Sequence, residues 1–113
     1  MDERERILQE NFTEYFEYAE KALKNAKYNS AVTLFFKAIS AAADLFILHK
    51  EGIVPSSHAN RFRIAQEKYS ELYEILDKDF PFYPENYTKK MTREAAEVLK
   101  EDARRVKKMP ETI

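Results

Sequence analysis

Four polar residues near the middle of the sequence are of types that bind anions. Ser57 and His58 are adjacent, and Arg61 and Arg63 follow within the next five residues. Free backbone N–H groups at a helix start favour an anion, and arginine donates hydrogen bonds well to phosphate oxygens. We therefore predict a phosphate-binding site at the start of a helix, formed by these four residues. The other interpretation is an ordinary helix start that faces solvent.

A second group of side chains, the aromatic segment, occupies residues 80–87. Two prolines in this segment prevent a regular helix and stiffen the chain. Phe82, Tyr83 and Tyr87 are therefore predicted to lie on a rigid surface segment, where aromatic rings stack on bases or contact a protein partner. The spacing leaves a second interpretation open, in which the aromatic segment is a lid that closes one end of a helical core.

Other catalytic and metal-binding chemistries lack the residues that they need. The chain has no cysteine and one glycine, which excludes thiol chemistry, a glycine-rich phosphate loop and a nucleophile elbow. The two histidines, His49 and His58, have neither the spacing nor the acidic neighbours of metal ligands on one helix face. We therefore predict no metal and no cofactor. Asp77 and Asp79 are two residues apart, so they face different directions and are expected at a solvated helix end.

Composition restricts the chain to one helical domain. A length of 113 residues is too short for two independent cores, and 44% apolar residues exclude wholesale disorder. Lysine, arginine, glutamate, alanine and leucine dominate, which favours helix over strand. The net charge of -1 provides no global field that would attract nucleic acid or a membrane. Without an 18-residue apolar run or a leader-like segment, we expect a cytoplasmic protein with no membrane partner.

Apolar residues recur every three or four positions, as in amphipathic helices. Their similar lengths and short connections predict an all-α fold, an up-and-down antiparallel bundle of four or five helices. We expect one domain over residues 1–113, with helices at approximately residues 2–26, 30–50, 57–79 and 88–108.

The second predicted helix differs from the others because two adjacent apolar stripes cover most of its surface. Only Lys37, Asp44 and Lys50 place charge on it. We expect it to be the central helix of the domain. The periodicity leaves open whether both stripes face the core or one of them forms a subunit interface.

Individual residues mark where the helices begin and end. Asn29 or Ser30 is predicted to cap the second helix, and one of the two serines at residues 56–57 the third. Gly52 is predicted to end the second helix in the left-handed conformation. Pro110 is predicted to end the fourth helix.

The second helix and the segment after it resemble the HEPN superfamily. Residues 28–38, YNSAVTLFFKA, are similar to that family's helix with a tyrosine, a small residue, an alanine, an aromatic pair and a second alanine. Gly52 and the Ser57–His58 pair, with a proline between them, follow in the order of the family's glycine, proline and serine- or threonine–histidine pair. The similarity extends over about residues 17–76.

The resemblance implies an up-and-down bundle of four or five helices that forms a homodimer. Many HEPN proteins are encoded beside a small nucleotidyltransferase, in some cases as a toxin–antitoxin pair, and some are metal-independent ribonucleases. Those ribonucleases carry an arginine followed four to six residues later by a histidine. Neither His49 nor His58 has an arginine at that distance before it, so no catalytic residue is carried over from the family.

We therefore expect a non-catalytic accessory protein that binds a nucleotide or a nucleic-acid end near His58, Arg61 and Arg63, or that docks onto a nucleotidyltransferase. One alternative is a metal-independent ribonuclease with a rearranged site, in which His58 acts as acid or base and an arginine stabilises charge on phosphate. The other alternative is a helical module that binds another protein through an apolar surface.

Overall fold

Helices and short turns make up residues 2–109, the part of the chain that the computed structural model describes. No strand occurs in these residues, and their radius of gyration of 13.5 Å is that of a compact domain of this length. The prediction of an all-helical bundle is confirmed at this level. The predicted helix end at Pro110 lies outside the described residues. The helices are α1 (Glu3–Lys24), α2 (Tyr28–Glu51), α3 (His58–Lys68), α4 (Ser70–Asp79), α5 (Phe82–Glu85) and α6 (Arg93–Lys108).

The central element is α2, which packs most extensively against α1 and α6 and also contacts α4 and α5. Both of its apolar stripes are covered by other parts of the same chain, so both belong to the core. By length and composition α2 is apolar enough to cross a membrane, but most of its apolar length is buried inside the fold. The fully buried side chains of α2 include Ala31, Val32, Phe35, Phe36, Ala38, Ile39, Ala43 and Ile47.

The end of α2 and the start of α3 lie where the sequence predicts them, and local hydrogen bonds stabilise both. Gly52 adopts a left-handed φ of 76°, and its N–H donates to the Leu48 carbonyl at 2.9 Å. The Ser57 hydroxyl accepts a hydrogen bond from the Asn60 N–H at 3.1 Å and so caps α3. Ser57 therefore has a structural role at the helix start.

Asn29 does not cap α2, because that helix already begins at Tyr28. Its side-chain amide instead donates to the backbone carbonyls of Asn86 and Lys89, both at 2.7 Å. The Asn29 side-chain oxygen accepts from the Met91 N–H at 3.0 Å. Asn29 thus fastens the connection between α5 and α6 to the start of α2, an interaction between segments about 60 residues apart in sequence.

The single helix predicted over residues 57–79 is broken at Tyr69, which has φ -135° and ψ 78°. The Tyr69 ring packs edge-on against Phe46 with centroids 5.0 Å apart, and its hydroxyl donates to the Glu51 carboxylate. Both partners belong to α2. The break therefore coincides with tertiary contacts, which the periodicity of the segment itself does not reveal.

The aromatic segment is not free of helix, because residues 82–85 form the single turn of α5. Pro84 is the third residue of this turn, and the first four N–H groups of a helix have no partner within it. Its missing N–H therefore costs no hydrogen bond. The prolines were predicted to prevent a regular helix, and the structure adds this one turn to that prediction.

Asp79 is fully buried at the end of α4, contrary to the expectation of a solvated carboxylate, whereas Asp77 is exposed. Neither of its carboxylate oxygens has a hydrogen-bond partner within residues 2–109. The nearby Asp102 is buried on α6, and its carboxylate lies 2.8 Å from the Lys78 ammonium. Burial is the main cause that raises the pKa of Asp79 to about 8, and the Asp102 carboxylate adds to it. Asp79 therefore holds a proton at neutral pH, which makes its carboxyl group a donor for Asp102.

We expect the substitution Asp79→Asn to stabilise the protein at pH 8. Because the folded-state pKa of Asp79 lies above its unfolded value, the folded state binds the extra proton between about pH 4 and pH 8, and the free energy of unfolding falls as pH rises through that range. Asparagine keeps a donor for Asp102 and does not titrate. Circular dichroism melts should show Asp79→Asn about 5 °C or more above the wild type at pH 8, and close to it at pH 4.

The matched control is Asp77→Asn, since Asp77 is exposed two residues away. This variant should keep the pH profile of the wild type. Parallel profiles for the wild type and Asp79→Asn would show that Asp79 does not retain a proton.

Candidate functional site

A cavity of about 290 Å³ opens where α1, the middle of α2, the start of α3 and α5 meet. We call it the α2 cavity. Its wall combines apolar surface with a few polar groups, which is typical of small-molecule sites. The lining residues are Leu8, Asn11, Tyr15, Phe36, Lys37, Ser40, Ala41, Asp44, His58 and Tyr83.

Two larger depressions in the described part of the chain are less suited to bind a ligand. One, of about 510 Å³, is lined by α1 alone, and the other, of about 470 Å³, is an open groove between α1 and α6. In both, many of the lining charges already pair with neighbours, as Arg6 does with Glu10 and Lys100 with Glu20. Neither contains a buried polar side-chain atom without a partner.

A buried ion pair lies behind the α2 cavity and joins α3 to α2. The Arg61 guanidinium donates to both carboxylate oxygens of Asp44, from Nε at 2.7 Å and from Nη2 at 2.9 Å. Only 7% of Asp44 and 8% of Arg61 is exposed. This two-pronged geometry is the strongest form of an arginine–carboxylate pair.

His58 lies at the exposed mouth of the cavity, against the third guanidinium nitrogen of Arg61. The distance between Arg61 Nη1 and His58 Nδ1 is 2.7 Å. Burial lowers the pKa of His58, the Arg61 charge lowers it further, and Asp44 opposes both effects. His58 is therefore neutral at pH 7.

Ser40 lies on the cavity wall in the middle of α2, but its hydroxyl group does not open into the cavity. Only 9% of the residue is exposed, and its Oγ is buried without a hydrogen-bond partner within residues 2–109. A serine in a helix interior ordinarily bonds back to a carbonyl of the preceding turn. The Ser40 hydroxyl is therefore an unpaired polar group beside the cavity, out of reach of a molecule inside it.

Lys37 supplies the one cationic side chain on the cavity wall, one turn before Ser40. It is exposed, and its ammonium lies 5.8 Å from the centre of the Tyr15 ring. The Asp44 and Arg61 charges cancel and His58 is neutral, so the cavity and its backing carry about one positive charge.

The aromatic segment closes one end of the bundle and forms part of the cavity wall. Tyr83 stacks on the buried Phe36 with centroids 5.2 Å apart, and Phe80 packs edge-on against the same ring. Phe82 is half-buried against the core. Tyr87 is the exception, because 71% of it is exposed while its ring contacts Tyr83. The segment thus packs as a lid and leaves Tyr87 open to solvent.

The four residues predicted to bind phosphate do not converge on one point. His58 and Arg61 are in contact, but Arg61 is committed to Asp44. Ser57 caps α3. Arg63 is exposed and pairs with Glu67. Because Arg63 lies two residues after Arg61, it is on a different face of the helix. Phosphate binding near His58 stays a prediction, with the α2 cavity as its location.

Sequence reasoning overlooked four cavity residues on α1 and α2. An acidic residue within an apolar helix signals a buried partner, and Asp44 is such a residue. The other three residues, Tyr15, Lys37 and Ser40, carry no signal of this kind. A helix position alone does not reveal which neighbour faces it.

No group of three or more acidic or histidine side chains in residues 2–109 is arranged to hold a metal ion. Comparison of the chain with protein-family models, curated proteins and solved structures gives no match in any of the three. The resemblance to the HEPN superfamily therefore rests on the sequence motifs alone.

We expect Asp44→Ala to destabilise the fold strongly, because it leaves the Arg61 charge buried without a partner. The loss of one member of a buried pair costs about 3–5 kcal/mol. Urea unfolding monitored by circular dichroism measures the effect. The matched control is Glu67→Ala, which removes the exposed partner of Arg63 and should cost less than about 1 kcal/mol. Equal effects of the two variants would contradict a buried structural pair.

Proposed function

We propose that this protein is a non-catalytic binding protein that holds a nucleotide or a nucleic-acid end in the α2 cavity. The observation that carries the proposal is the combination of a cation, an imidazole and aromatic rings around one cavity. Lys37 suits an oxyanion, and Tyr15 and Tyr83 offer rings beside which a base can lie. The single net positive charge favours an anionic ligand.

The absence of catalysis in this proposal is supported by the environment of His58. A general acid or base at neutral pH needs a pKa near 7 and a nitrogen that can exchange its proton. The pKa of His58 is lowered, and its Nδ1 faces the Arg61 guanidinium. A ribonuclease with a rearranged site remains the second candidate, because His58 is the one histidine on the cavity wall.

We also propose that the bundle is HEPN-like, with an up-and-down antiparallel course. The short connection at residues 25–27 supports α2 running back along α1. The Glu5 carboxylate near the start of α1 lies 3.3 Å from His49 near the end of α2, as antiparallel neighbours require.

The remaining parts of the proposal rest on the HEPN resemblance. They are a homodimeric state, a cytoplasmic location and a small nucleotidyltransferase as a partner. Because both stripes of α2 are buried, such an interface would use other surfaces. Exposed apolar side chains that could contribute to it are Ile7, Tyr18, Ile53 and Val98.

A thermal melt with AMP, ATP and a short RNA tests ligand binding. A ligand present at about one hundred times its dissociation constant adds about 2.7 kcal/mol, which raises the midpoint by about 10–20 °C in a domain of this size. Lys37→Ala should reduce this shift because it removes the cavity cation. Arg63→Ala is the matched control and should retain it, since Arg63 lies away from the cavity.

Three results would contradict parts of the proposal. No shift with any nucleotide or RNA would exclude the cavity as a nucleotide site and favour a protein-interaction module. Loss of the shift in Arg63→Ala but not in Lys37→Ala would move the site elsewhere. Cleavage of labelled RNA by the wild type but not by His58→Ala would identify a ribonuclease.

A further inference from the structure

We infer that Arg61, held in place by Asp44, fixes His58 as a hydrogen-bond donor, so that His58 selects a ligand oxygen that accepts hydrogen bonds. The inference rests on the proposed function in that it concerns the same cavity. It adds which ligand atoms are recognised and which residues decide this. Arg61 and Asp44 act as positioning residues, since they touch His58 and each other rather than the ligand.

The tautomer of His58 follows from the chemistry of arginine. A guanidinium group has only donors, so the contact of 2.7 Å with Arg61 Nη1 requires His58 Nδ1 to be an acceptor. A neutral imidazole with an unprotonated Nδ1 carries its proton on Nε2. His58 then presents an N–H rather than a lone pair with its other nitrogen.

Arg61 cannot turn away from His58 at low cost. Nε and Nη2 are both bonded to the Asp44 carboxylate in the interior, at 2.7 and 2.9 Å. The guanidinium is planar, so these two bonds also fix the direction of Nη1. The orientation of His58 is thus determined by an ion pair that is more than nine-tenths buried.

The groups around His58 do not favour protonation of Nδ1 in addition to Nε2. Asp44 is the one acidic residue on the cavity wall, and both of its oxygens already accept from Arg61. Lys37 adds a positive charge from α2. The remaining neighbours of the His58 ring are the aromatic side chains Phe36, Phe80 and Tyr83.

The donors that the cavity offers to a ligand are therefore the Nε2–H of His58 and the ammonium of Lys37. A phosphate or carbonyl oxygen accepts from either group. A ligand that presents an N–H group to His58 would meet a second donor, and we expect the cavity to reject it.

Nitrogen-15 NMR of the histidine rings of the free wild-type protein tests the tautomer directly. We expect an unprotonated Nδ1 and a protonated Nε2 for His58 at pH 8, and a titration midpoint below the ordinary histidine value of 6.5. The double variant Asp44→Asn, Arg61→Gln removes both charges of the pair together and should show a mixture of tautomers. A protonated Nδ1 in the wild type, or a His58 titration midpoint at or above 6.5, would overturn the inference without any need for the variant to fold.

His58→Phe tests the recognition of the oxygen, with AMP as the probe. We expect its affinity for AMP to fall about tenfold or more, because the ring is kept and the N–H donor is lost. His58→Gln keeps a side-chain N–H donor and should recover part of the affinity. His49→Phe changes the histidine outside the cavity and should bind AMP like the wild type.

The outcomes separate this inference from the proposed function. If AMP binds the wild type and His58→Phe equally, the inference is wrong and the proposed function stands. If neither AMP, ATP nor RNA binds the wild type, the proposed function and the recognition of the oxygen both fail, whatever tautomer is found.

Discussion

The cavity depends on one constraint, which is a carboxylate in the middle of a helix that is buried on most sides. α2 is buried on both of its apolar stripes, and Asp44 lies among them. A buried charge without a partner costs several kcal/mol, so the fold must bring a cation to it. Arg61 is that cation, and it lies one turn into α3. The same contact therefore holds the first turn of α3 against α2 and fixes the position of His58.

The cavity exists because the aromatic segment closes the bundle only in part. Phe80 and Tyr83 cover Phe36 and bring the segment against α2, while Asn29 fastens the chain that follows it. Tyr83 then stands opposite Tyr15 and Ser40 across the cavity. A lid and a ligand-binding wall are thus the same structural feature, and the two interpretations of these aromatic residues do not exclude each other.

Asp44 and Asp79 are both buried carboxyl groups, and the cost of burying each of them is offset in a different way. Asp44 keeps its charge because a buried arginine donates to both of its oxygens. Neither oxygen of Asp79 has a donor within residues 2–109, so its carboxyl group retains a proton near Asp102, whose charge is balanced by Lys78. The first solution orients a side chain at the cavity, whereas the second makes the contact between α4 and α6 sensitive to pH.

The sequence by itself determined the helical character of the chain, several helix ends and the central position of α2. These depend on local physics: the period of the apolar residues, the left-handed conformation of Gly52 and the hydroxyl of Ser57 all act within one or two turns. The HEPN resemblance was likewise read from local motifs.

The tertiary structure alone decided which polar residues meet. Arg61 was predicted to face a ligand but is bound to Asp44, and Asp79 was expected in solvent but is buried against Asp102. Ser40 gave no signal at all. The physical reason is that periodicity identifies which face of a helix is buried but not which neighbour covers it. Charge pairing, an unpaired hydroxyl and a break such as Tyr69 all depend on that neighbour.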